Sequence, residues 1–157
     1  MNNIMNNKMK IGILFERNNE KIIPSISIDD LENISETINS QLKTATEIYL
    51  SSIERMNLIF KKNTELRQQK KHVPARLMWQ FGDEIFSLIN KLNDLGFRWD
   101  NLYESLIRDL KVSDTTLERV IMFRKHVDNI NLIPENINWG ALKGSPKKYL
   151  NNLNKFK

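Results

Sequence analysis

"KVSDTTLERVIMFRKHV", residues 111–127, decides how the rest of the chain is read. Ser113 stands where its hydroxyl can accept a hydrogen bond from the backbone of Thr115 or Thr116, satisfying an amide that a helix start otherwise orphans. Thr115 with Glu118 offers a capping box one register later. Beyond the cap, Leu117, Val120, Ile121, Phe123 and Val127 recur on one face, and Thr115, Thr116, Glu118, Arg119, Met122, Arg124, Lys125 and His126 take the other. Just upstream, Leu102, Leu106 and Leu110 align, with Tyr103 and Ile107 beside them, so a helix over 100–110 ends in a tight turn at 112–114. Two helices joined by a short turn, the second carrying exposed polar and basic side chains, is the helix-turn-helix layout. In that layout Thr115, Thr116 and Arg119 meet base edges or phosphate, and Arg124 and Lys125 suit phosphates. A plain core-packing hairpin has the same pattern: cations near a helix C-terminus complement its dipole without any ligand, and Glu118 repels phosphate.

Working outward, residues 29–69 contain neither proline nor glycine. Leu31, Ile34, Ile38, Leu42, Ala45, Tyr49, Ile53, Met56 and Phe60 step by threes and fours, the period of an amphipathic helix. Ser27 and the acids Asp29, Asp30 and Glu32 suit its start. Unbroken, it spans roughly 60 Å, so it either breaks near Asn39–Ser40 or projects to pack against a partner. Pro74 ends it and biases Val73 away from helical angles. A second helix, 75–92, aligns Leu77, Met78, Phe81, Ile85, Leu88, Ile89 and Leu92, and closes at Gly96. Gly82 inside it is either a tolerated defect or a point of close approach by another helix. Residues 10–28 give two β-rich runs around Asn18–Asn19, a hairpin whose second run Pro24 confines to a sheet edge. The expected fold is therefore mainly α: a long amphipathic helix and a helix-turn-helix bundle, with a small hairpin ahead of them. The organisation is a segment 1–28, the long helix 29–72, a helix-turn-helix domain 74–142, and a basic tail 143–157.

With 40% hydrophobic and 27% charged residues the chain is globular rather than disordered. The formal net charge of +5 admits a polyanionic partner. Beyond the 111–127 helix, Lys61, Lys62, Arg67, Lys70, Lys71 and Arg76 cluster against a single Glu65, and Lys143, Lys147, Lys148, Lys155 and Lys157 follow the last acid, Glu135. Gathered on one surface, they would track phosphates; separately, each is a solvated face.

Catalytic chemistry finds little support. Cysteine is absent, which excludes disulfides, thiolate metal sites and thiol nucleophiles, and fits a cytoplasmic location. His72 and His126 make no zinc-binding pair. There is no phosphate-cradling glycine loop, no nucleophile elbow, and no acid followed by a Glu-x-Lys strand to hold Mg²⁺. No apolar run approaches a bilayer-spanning length, and "MNNIMNNKMK" has no signal-type apolar segment. Trp79, Trp99 and Trp139, set among apolar neighbours, read as packing residues. No cofactor is expected.

Four blocks, "LMWQFGDEI" (77–85), "LIRDL" (106–110), "SDTTLERVIMF" (113–123) and "INWG" (137–140), resemble in order and spacing the helical domain that precedes PD-(D/E)XK nuclease domains in YhcG-like proteins. The resemblance covers residues 53–142. It implies a winged-helix-like DNA-binding domain of a restriction, defence or mobile-element system, with Gly82 and Trp139 as fold markers. No counterpart of the nuclease domain is read here, so no catalytic residue is carried over. The expected function is a non-catalytic module docking on duplex DNA through the 114–127 helix. The rival is a helical interaction subunit of a larger nuclease or defence assembly, joined as a homodimer or to a partner protein through residues 29–60.

Overall fold

The computed structural model describes residues 10–27 and 38–142. The expected helix start at 29 with its acids, and the basic tail with Lys147 and Lys148, lie outside the described residues. The protein is mostly helical with one three-stranded sheet. It divides into two compact units, each assembled from separated segments: Met1–Ile53 with Phe86–Lys111, and Glu54–Ile85 with Val112–Lys157. Helix α1 (Ile38–Gln68) is described from just before Asn39 and Ser40, the residues preceding it lying outside the described residues, and it contributes to both units, as does α2 (Ala75–Asp94). At 31 residues α1 is roughly 46 Å long. Its apolar stripe, Ile38, Ala45, Tyr49, Ile53 and Met56, is buried within the chain itself, so the side of the helix expected to meet a partner packs the protein's own core.

In the first unit, β1 (Ile11–Asn18) and β2 (Lys21–Ile26) form the expected hairpin, turning on Asn19 at φ +57°. Pro24 faces Phe15 in the register. The Phe15 amide donates the other way, to Asn101 Oδ1 at 3.0 Å, so the pair shares no ladder bond and the proline's missing N–H falls on the free edge. A third strand, which the sequence does not announce, is present: β3 (Phe97–Trp99) lies parallel to β1, giving the order β2-β1-β3. After three residues β3 stops, and the side chain of Asn101 serves as the next rung. It accepts from Phe15 N–H and donates to Phe15 C=O at 2.9 Å. Asn101 sits at the N-cap of α3 (Leu102–Leu110) yet makes no side-chain cap bond, because that side chain is committed to the sheet. Phe15 stacks on Tyr49 with centroids 4.2 Å apart, and Trp99 meets both edge-on. Beneath them the fully buried carboxylate of Asp109 accepts from Arg17, Arg108 and the Tyr49 hydroxyl.

In the second unit, Ser113 caps α4 (Asp114–His126) as expected, accepting from Thr116 N at 3.1 Å. The alternative box one register later does not form. Ser113→Ala should lower stability by about 1 kcal/mol while Ser113→Asp retains it, a difference readable from urea midpoints. Leu117, Val120, Phe123 and Val127 are fully buried. The α4 backbone approaches α2 at Gly82, where an added Cβ would stand 3.0 Å from the Val120 carbonyl oxygen and 2.7 Å from Arg124 Cβ. Gly82 is thus a point of close approach. Trp79 Nε1 donates to Val127 O at 2.6 Å, and Phe60 meets Phe81 edge-on. Pro74 bridges to Asn138, with Trp139 N donating to Val73 O and Ala75 N to Ile137 O. This tie places Trp139, at the start of the short α5 (Trp139–Leu142), against Phe123.

Two lysines occupy left-handed backbone at helix ends. Lys70, at φ +57°, closes α1: its N–H donates to Arg67 O, and Lys71 N–H donates to Leu66 O, the paired bonds of a Schellman cap. Lys111, at φ +55°, closes α3 by donating to Ile107 O. Glycine usually holds such positions, and a side chain there costs about 1 kcal/mol.

Candidate nucleic-acid interface

The outer face of α4 is open. Thr115, Glu118, Arg119, Met122 and Lys125 recur every three or four residues and all are exposed. The side chains of Arg119 and Lys125 have no hydrogen-bonding or ion-pair partner among the described residues. Three expected contacts are taken up internally. Arg124 is packed against α2: its Nε donates to Asp83 Oδ1 at 2.9 Å, its guanidinium carbon lies 4.9 Å from the Trp79 ring centroid, and its side chain is 19% exposed. Arg76 donates to Ile133 O at 2.6 Å and stands 3.6 Å from Glu135. The Thr116 amide and hydroxyl both bond to the Ser113 side chain at the cap. To reach a ligand, Arg124 must leave both the Asp83 carboxylate and the Trp79 indole.

The remaining cations concentrate elsewhere. Lys61, Lys62, Arg67, Lys70 and Lys71 are all exposed at the end of α1 and in the following turn. Opposed only by Glu65, they carry a formal charge of 5 − 1 = +4 over residues 61–71. The outer face of α4 carries Arg119 and Lys125 against Asp114 and Glu118, which cancel. The last turns of α1 pack through few side chains: Asn63 is buried, with Nδ2 3.3 Å from Met78 sulfur, and Leu66 is half-buried, so the cations spread around the rest of the helix end. This end of the helix is exposed and electropositive. Both groups of cations belong to the second unit.

Other clusters are internally satisfied. Asp100 accepts from Ser27 and Arg98 across Gly12, where a Cβ would lie 2.0 Å from Asp100 Oδ2. Burial alone would raise the Asp100 pKa, but these hydrogen bonds and the Arg98 charge hold it below the usual carboxylate range. Among the described residues no three His, Asp or Glu side chains gather as metal ligands, and no helix is long and apolar enough to cross a membrane. Lys111, which closes α3, is exposed. Its one local signal is an inter-helix connection, 111–113, without glycine or asparagine at the helix-closing position. No family model, curated protein or solved structure matches the chain.

Proposed function

We propose that the chain is a non-catalytic, winged-helix-like DNA-binding module that holds duplex phosphates chiefly through the end of α1, with the outer face of α4 as a secondary contact. The observation carrying this reading is the set of five exposed cations over residues 61–71 whose side chains have no hydrogen-bonding or ion-pair partner among the described residues, while Arg76 and Arg124 are engaged internally. Unpaired, crowded like charges repel one another and favour a polyanion that releases its counterions. The YhcG-like order of sequence blocks points the same way, to a restriction, defence or mobile-element setting in the cytoplasm. Arg119, with Thr115 beside it, is the α4 side chain positioned for base edges.

The rival reading, an interaction subunit assembling through α1, draws on Leu50 and Leu58, 46% and 61% exposed on that helix. It is the weaker one, since the main apolar stripe of α1 is already buried in the chain.

Binding to a random-sequence duplex, followed by fluorescence anisotropy as salt rises, tests the proposal. Five phosphate contacts give a log–log slope of about −4.5. The variant K61E/K62E/K70E/K71E should lose binding, whereas R119A/K125A should weaken it only modestly. Should the wild-type protein show no binding even at low salt, the nucleic-acid reading is abandoned for assembly through Leu50 and Leu58.

A further inference from the structure

We infer that Lys70 and Lys111, each held in left-handed backbone, each serve through their charge as a phosphate-contacting residue of the unit they belong to; this rests on the nucleic-acid reading above. Among the described residues only three non-glycine positions have positive φ: Asn19, Lys70 and Lys111. Asparagine tolerates that region, because its short polar side chain bonds locally. Lysine has no such compensation. Both lysines are exposed, neither side chain has a hydrogen-bonding or ion-pair partner among the described residues, and both occupy the helix-closing position that glycine fills without strain. Elsewhere the chain does use glycine for this purpose: Gly96, at φ +89°, follows the end of α2. Attraction between lysine and the helix dipole is the competing explanation. That attraction is weak at exposed sites and screened by salt, and a lysine one turn earlier would supply it without backbone strain. A strained residue that gives the fold nothing in return is a mark of function.

Each lysine is tested singly, in the full chain, by two readouts that must move in opposite directions. Lys70→Gly and Lys111→Gly should each raise the melting temperature by about 2–4 °C and make the salt slope for duplex DNA shallower by about 0.9. Lys70→Arg and Lys111→Arg should leave both readouts near wild type. Asn19→Gly, which removes an uncharged left-handed residue, should leave the slope unchanged. A glycine variant that is stabilised but binds with the wild-type slope overturns the inference for that lysine, as does one that is not stabilised at all. If the wild-type protein binds no duplex, the broader reading has failed and this inference falls with it.

Discussion

Asp109→Ala is expected to destabilise the protein by about 3 kcal/mol, far more than loss of any one of its partners. The carboxylate is fully buried and accepts from three sides: Arg17 Nε and Nη2 at 3.0 and 2.9 Å, Arg108 Nε and Nη2 at 2.8 Å each, and the Tyr49 hydroxyl. Removing it strands a buried phenol and withdraws the counter-charge from two guanidinium groups. The arginines reach solvent and can recover part of their loss, which holds the estimate near the lower end for broken buried pairs. Arg17→Ala, by contrast, leaves Asp109 with two donors and should cost about 0.5 kcal/mol. Tyr49→Phe should cost about 1 kcal/mol. Urea denaturation of the three variants orders them; an Asp109 variant no weaker than the Arg17 variant would show that the carboxylate does not organise the cluster.

The same cluster sets a pH dependence. Burial by itself would raise the Asp109 pKa, but hydrogen bonds from Arg108, Tyr49 and Arg17, with the charge of Arg108, outweigh it and hold the carboxyl below its usual range. A group whose pKa is lowered by folding contributes stability that is fully present above its unfolded value. That contribution is lost as pH falls through the lowered folded value. The wild-type protein should therefore lose stability as pH drops below about 4, and Asp109→Asn should flatten that part of the profile. Tyr49 moves the other way: burial, then its bond to Asp109, pushes the phenol well above its normal range, so it stays protonated as the donor throughout.

The helices were legible because their signal is local. The period of α1 and α2, the Ser113 cap, the Gly96 stop and the placement of Pro24 on an edge each follow from a few consecutive residues. The sheet's third strand was not. Phe97–Trp99 pairs with β1 from far along the chain, and nothing in "FRW" announces a parallel partner. Asn101 was hidden for the same reason: at a helix start it reads as a cap, and only the distant Phe15 backbone assigns it to the sheet. For the candidate interface, the exposed residues of α4 followed from its period, but Arg124 did not separate from Arg119. A finer reading had the means, since Arg124 stands four residues after buried Val120 and seven after buried Leu117, on the flank of the core face. Asp83 and Trp79, which hold it there, lie on another helix. The strain at Lys70 and Lys111 is a backbone property, hinted at in the sequence only by helix ends that lack glycine or asparagine.

Gly82→Ala reverses the usual expectation for a glycine inside a helix. In an isolated helix alanine would stabilise by about 1 kcal/mol. Here the new Cβ would stand 2.7 Å from Arg124 Cβ, 3.0 Å from the Val120 carbonyl oxygen and 3.2 Å from Val120 Cγ1. Two of these neighbours are a backbone atom and a Cβ, and neither can rotate away. Relief requires α4 to shift from α2, an overpacking cost of about 3 kcal/mol. The overlap wins, and the net loss is about 2 kcal/mol, growing with side-chain size through valine to isoleucine. Gly140→Ala is the control: its Cβ would meet nothing within 4 Å, so stability should hold or rise slightly. Displacing α4 would also draw Arg124 off Asp83 and the Trp79 ring, exposing a guanidinium that the folded protein keeps engaged. A Gly82→Ala protein that remains folded should therefore show a loosened indole, visible as a change in tryptophan fluorescence. Equal or greater stability in that variant would mean the two helices do not approach as closely as the glycine implies.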